Sequence, residues 1–306
     1  MADLLWYLLA FAVVLGARGD AVLTRNENEG LQDGRHQRFP CVREARVTSW
    51  DQAEAFKINH EPYTNEKKVF IRKGEVAPLT QVSLAEFKAE TYFEDHDHED
   101  MFEVFYVLSG AGRFAITERG SDREWRRREV AAKPGLFLHL PPGVQHAGLT
   151  DLGFQFLMLG AAAEADCSKT AILGDANGSA CKALTSFQEL QVDEVEVKGL
   201  KKNPKVQRRT LLPSGGMPKV MRFEHLTVPN GVSYDAPREA GTQVFILLTG
   251  WGGIRLGVKT GLFEHHAVAL VPQVGAEHPV TITAASPQLT MLRLVVEPCP
   301  IIHDEL

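Results

Sequence analysis

Asp95-His96-Asp97-His98-Glu99-Asp100-Met101-Phe102-Glu103-Val104-Phe105-Tyr106-Val107-Leu108-Ser109-Gly110 is the stretch on which the reading of this chain turns. Residues two apart on a β-strand face the same way, so His96 and His98 point inward together while Asp95 and Asp97 point out. After a short turn at Glu99 to Phe102, a second strand puts Glu103, Phe105 and Val107 on one face and ends at Gly110, with the carboxylate across a hairpin from the two histidines. The stretch from Gly135 through Leu140, Pro141, Pro142 and Gly143 to His146 reads as an apolar strand, a forced turn and a histidine opening the next strand. Three imidazoles and one carboxylate, His96, His98, Glu103 and His146, can hold one divalent metal and leave positions open for a substrate. Phe105 and Val107, with Tyr92 if the strand phase continues back, are the expected pocket lining. His139, alone in an apolar run, reads as a structural core residue.

At 306 residues the chain suits two small domains, each with its own core. The second half reads as a weaker copy of the first: the run from Tyr234 to Gly250 places Gln243 where Glu103 stands, with Ala236 and Arg238 in place of the two histidines. The run from Val268 through Pro272 and Gly275 to His278 keeps one histidine with one inserted residue. The second domain is therefore expected to be metal-free.

The two histidine stretches resemble the signature motifs of the cupin superfamily: His96, His98, Glu103 and Gly110 match the first, and Gly135, Pro141, Gly143 and His146 the second. Glu90 stands where the first motif opens on glycine, and Thr150 where the second ends on asparagine. The resemblance implies an all-β chain of two tandem cupin (jelly-roll) barrels, with one divalent ion (Fe, Mn, Cu, Ni or Zn) in the first. Donors of this kind do not select among those metals. It further implies a metal-dependent enzyme of the dioxygenase or oxidoreductase type acting on a small organic acid or ring compound. The alternative is a non-catalytic binder of small carboxylates, similar to the plant auxin-binding proteins. The expected layout is residues 1–19 signal peptide, 20–66 an irregular arm, 67–160 first barrel, 161–205 linker, 206–298 second barrel and 299–306 tail. A short helical turn is expected at Trp50 to Phe56.

Residues 4 to 15 form an apolar run of signal-peptide length, too short to span a bilayer. The chain closes on His303-Asp304-Glu305-Leu306, an endoplasmic-reticulum retrieval signal read by a receptor. Together they predict a protein of the endoplasmic-reticulum lumen with no stable membrane insertion. The four cysteines suit an oxidising lumen. Of three possible pairings, Cys167–Cys181 and Cys41–Cys299 are favoured, with buried free thiols the alternative. Asn177-Gly178-Ser179 is a glycosylation acceptor in a polar linker. A net charge of −6 and the lack of any nucleic-acid motif exclude nucleic acid as partner, so the basic residues Lys201, Lys202, Lys205, Arg208 and Arg209 read as a solvated face. A small-molecule substrate or ligand is the expected partner, and a homo-oligomer is compatible with the sequence.

Overall fold

The computed structural model describes residues 44–58, 65–119, 124–163, 188–192, 205–213, 216–264, 266–272 and 280–297. All of them fall in one compact unit, residues 39–306. The described residues are all β, with no helix and hence none long and apolar enough to cross a membrane.

Four sheets build the fold. A seven-stranded sheet runs in the order β12 (Gln188–Gln191), β9 (Leu136–Leu140), β6 (Met101–Gly110), β11 (Phe154–Ala162), β4 (Leu79–Phe87), β3 (Glu66–Ile71) and β2 (Glu54–Lys57). It faces a four-stranded sheet of β5 (Thr91–His96), β10 (Gln145–Thr150), β7 (Gly112–Arg119) and β8 (Trp125–Ala132). The second half repeats the plan. A six-stranded sheet of β1 (Arg46–Thr48), β19 (Val268–Val271), β16 (Thr242–Thr249), β21 (Gln288–Val296), β14 (Val220–Pro229) and β13 (Gln207–Leu212) faces β15 (Ser233–Ala236), β20 (Val280–Ala284), β17 (Gly252–Leu256) and β18 (Lys259–Phe263).

Alternation along the strands sorts the apolar side chains into three layers. On β6, Phe105 and Val107 enter the core of the first barrel with Phe93, Phe114 and Phe156. Phe102, Val104 and Tyr106 of the same strand enter a middle layer with Phe223, Val244, Ile246 and Leu292, which packs the two large sheets back to back. Leu226, Phe245, Ile254 and Met291 fill the second barrel. A strand buried on both faces explains why β6 reads as a continuous apolar run from Val104 to Leu108.

Residues expected to be irregular are partly built into the sheets. Arg46–Thr48, from the N-terminal arm, pairs with β19 of the second barrel, while Gln188–Gln191, from the linker, pairs with β9 of the first. Each barrel thus borrows an edge strand from outside its own sequence block, and covered edges are protected from stray pairing. The helical turn expected at Trp50 to Phe56 is a single turn closed by Gln52 and Ala53 amides on the Ser49 carbonyl, followed by β2. The exposed Glu54–Lys57 pairs with β3, and its ladder replaces helical bonding. Cys41, Cys167, Cys181, Cys299, Asn177, His278, the apolar run 4–15 and His303 to Leu306 lie outside the described residues.

Candidate metal centre

His96, His98, Glu103 and His146 each bring one ligand atom within 4.8 Å of all the others. They come together differently from the hairpin the spacing suggests. His96 closes β5 and His98 lies just beyond it, whereas Glu103 lies on β6 in the opposite sheet. The histidines and the carboxylate therefore face each other across the barrel interior. His146 sits on β10 directly opposite His96 in the ladder. The Pro141-Pro142-Gly143 turn ties in the remaining histidine: the Gly143 amide donates to the His98 carbonyl at 2.9 Å.

The tautomers suit metal ligation. The Nδ1–H of His96 donates to the Glu94 carbonyl at 2.9 Å, and that of His146 to the Val144 carbonyl at 3.1 Å. With Nδ1 protonated, the Nε2 lone pairs are left for a metal. Glu103 Oε2 lies 3.0 Å from His146 Nε2 and 3.4 Å from His98 Nε2. Yet Oε2 of Glu103 and Nε2 of His146 are buried without a hydrogen-bond partner. Buried polar atoms that converge without satisfying one another fit a shared cation. Burial alone would push the Glu103 carboxyl up, but its contacts with His146 and His98 outweigh that and hold it well below the usual carboxylate range. The nearby Glu103 carboxylate pushes His98 up, against the opposing effect of burial. These residues form a site for one divalent metal ion.

Beside the cluster lies a cavity of about 210 Å³. Its wall is mainly apolar, including Phe93, Phe105, Phe156 and Met158, and Lys67 and Gln81 add polar groups. The Lys67 ammonium donates to Gln81 Oε1 at 3.1 Å. Burial pushes Lys67 down and the charge of Glu103 pulls it up. The flanking acids Asp95, Asp97, Glu99 and Asp100 are exposed and do not line the cavity.

Of the three expected pocket residues only Phe105 lines this cavity. Val107 is fully buried one pleat deeper, in the aromatic core. Tyr92 is 42% exposed and borders a shallow groove on the outer face of β5. The reason is a β-bulge: His146 pairs with His96, but Gly148 pairs with Phe93, so β5 carries one extra residue between them. The bulge reverses the phase and turns Phe93 inward with His96. Gly148 makes room for it, since a Cβ there would stand 2.1 Å from the Phe93 ring. The sequence does not reveal Lys67 and Gln81, because no spacing rule links β3 and β4 to the histidine motifs, and it misses Phe93 because the bulge reverses the phase of β5.

The departures from the two motifs are accommodated. Glu90 adopts φ +59°, the left-handed conformation that favours glycine. Thr150 uses its hydroxyl to bond the Ala111 carbonyl at 2.6 Å and to accept the Gly153 amide at 2.7 Å, closing the turn before β11.

The corresponding place in the second barrel is filled by a polar network. Arg293, fully buried, donates to Gln243 Oε1 at 2.9 and 3.0 Å, to Glu224 at 2.8 Å and to Glu239 at 2.9 Å. Arg208, read from sequence as part of a solvated face, approaches Glu224 at 3.6 Å.

No family model matches the chain. A stretch of 105 residues, 34% of the chain, is 30% identical to an acireductone dioxygenase of Puccinia graminis f. sp. tritici and covers 52% of that protein. Another of 61 residues, 20% of the chain, is 41% identical to acireductone dioxygenase 1 of Coprinopsis cinerea and covers 32% of it. The chain thus spans about half or less of these curated relatives. Among solved structures, it is similar to protein Ylba from E. coli (TM-score 0.60, 11% identity, 83% of this chain and 91% of that one). Salicylate 1,2-dioxygenase from Pseudoaminobacter salicylatoxidans gives TM-score 0.54 at 13% identity, over 83% of this chain and 81% of that one. Lactobacillus farciminis oxalate decarboxylase gives 0.53 at 12% identity, over 82% and 86%. Such identities speak for the fold alone, and the fold is the cupin barrel, built twice in one chain.

Proposed function

We propose that the first barrel is a metal-dependent dioxygenase acting on a small, oxygen-rich organic anion. The observation that carries this reading is the His96–His98–Glu103–His146 cluster opening on a cavity whose remaining wall is apolar except for Lys67 and Gln81. A divalent metal held there would supply a Lewis acid and, for a redox-active ion, a place for dioxygen chemistry. The chain's own residues do the rest. Phe93, Phe105 and Phe156 exclude water, Lys67 offers a positive charge, and the Glu94 and Val144 carbonyls hold the imidazoles in one orientation. The similarity to acireductone dioxygenases supports the reaction class and makes an acireductone, an enediol beside a carbonyl, the first substrate to try.

The test is dioxygen uptake by the full chain loaded in turn with Fe(II), Mn(II) and Ni(II), given an acireductone and then a panel of small hydroxy- and keto-acids. Substrate-dependent uptake that is lost with Glu103→Ala is the expected result. Uptake at background with every metal would overturn it. The reading as a carboxylate binder draws on the aromatic cavity wall and Lys67 and predicts reversible binding of an aromatic carboxylate with no uptake. An endoplasmic-reticulum address, with capture by the retrieval receptor, belongs to the same proposal, supported by the apolar run 4–15 and by His303 to Leu306. It predicts that glycans on the expressed full chain stay endoglycosidase-H sensitive, and complex glycans would contradict it.

A further inference from the structure

We propose that Lys67 anchors an anionic oxygen of the substrate, a carboxylate or enolate that fills the place held in the second barrel by the Glu224 carboxylate. This inference rests on the metal-dependent reading above and names the substrate class for that site.

The argument comes from laying one barrel on the other by strand register. In the first barrel, Phe105 pairs with Met158, Met158 with Ser83 and Ser83 with Val69. In the second, Phe245 pairs with Arg293, Arg293 with Glu224 and Glu224 with Thr210. The next row runs Val107–Phe156–Ala85–Lys67 in one and Leu247–Met291–Leu226–Arg208 in the other. Lys67 and Arg208 therefore occupy the same register position, a cation on the strand that follows β4 in one large sheet and β14 in the other. Arg208 approaches a carboxylate that the chain itself provides, Glu224. The counterpart of Glu224 is Ser83, which is neutral, fully buried, and has a hydroxyl oxygen with no hydrogen-bond partner. Met158, the counterpart of Arg293, lines the cavity.

Charge balance points the same way. A divalent ion against the single Glu103 carboxylate leaves one positive charge over, and Lys67 adds a second beside a largely apolar wall. Uncompensated charge is costly at such a depth, and the Gln81 amide accepting from Lys67 carries no net charge. The second barrel meets its arginines with two carboxylates, Glu224 and Glu239. In the first barrel the cavity leaves that role to a ligand. An anion reaching from metal to ammonium would be fixed at two points, which orients the rest of the molecule along the aromatic wall.

The test uses the full chain loaded with zinc, so that binding is read without turnover, and titrates oxalate and its neutral analogue oxamide calorimetrically. Lys67→Met is expected to keep its zinc and to weaken oxalate by about 10- to 100-fold, as for loss of a charged hydrogen bond. Lys67→Arg should recover most of that affinity, and oxamide affinity should be the same in all three proteins. Unchanged oxalate affinity in a zinc-loaded Lys67→Met, with only a lower Tm, would make Lys67 a structural residue and overturn the inference. Failure of the zinc-loaded wild-type chain to bind oxalate would overturn it as well. Failure of the wild-type chain to take up zinc would instead remove the metal-dependent reading, and this inference with it.

Discussion

The two barrels share a frame and differ in what meets the side chain at its centre. In the first, Glu103 faces three imidazoles, and Met158 borders an open cavity. In the second, Gln243 stands at the place of Glu103 and accepts from a guanidinium, Arg293, that enters from the neighbouring strand and fills the space. The strand ladder is indifferent to this exchange, because both sets of side chains hang from the same paired positions. A few interior positions, Glu103 or Gln243, Met158 or Arg293, Ser83 or Glu224, separate a barrel with a cavity from one locked by its own ion pairs.

The largest effect should come from breaking that lock. Arg293→Met leaves the buried Glu224 carboxylate with only the longer contact to the half-exposed Arg208, at a cost of about 3–5 kcal/mol in stability. Adding Glu224→Ser, which completes the first barrel's pair of side chains, should recover most of the loss. Urea midpoints of the single and double variants decide it, and a double variant no better than the single would show that the network holds more than charge balance.

The middle layer offers a comparison that pH can sharpen. His139 stacks on Phe102, and burial lowers its pKa to about 4; His225 stacks on Tyr106 and is also lowered to about 4, by burial first and then by Arg209. Both rings are neutral in the folded state and protonate more readily once unfolded, near 6.5. Stability should therefore fall as pH drops from about 6.5 toward 4, by on the order of 2–3 kcal/mol for each histidine. His139→Phe should reduce the slope of unfolding free energy against pH in that window, and an unchanged slope would remove His139 from the account.

Smaller again is the effect at the turn that opens the first motif. Glu90 holds a left-handed conformation at φ +59°, so Glu90→Gly should stabilise by about 1 kcal/mol, read as a rise in Tm. A fall in Tm would mean that its side chain makes a contact worth more than the strain.

What the sequence made legible was the part governed by local spacing. His96, His98, Glu103 and His146, the alternation on β6 and the weaker second copy follow from strand periodicity and turn residues. What it hid depends on pairing between distant segments. A single extra residue in β5 reversed the phase, so that Phe93 rather than Tyr92 faces the metal residues. The hairpin inferred between His98 and Glu103 is a crossing between sheets, which no local pattern encodes. Lys67, Gln81 and Arg293 meet their partners only once strands far apart in sequence are placed side by side.

Elemental analysis of the full chain after saturation with a divalent metal and removal of excess tests the central claim most directly, with His98→Ala and Gln243→Ala beside it. One metal per wild-type chain is expected, none retained by His98→Ala and one by Gln243→Ala. Two metals per wild-type chain, or full retention by His98→Ala, would contradict the assignment of a single centre to the first barrel.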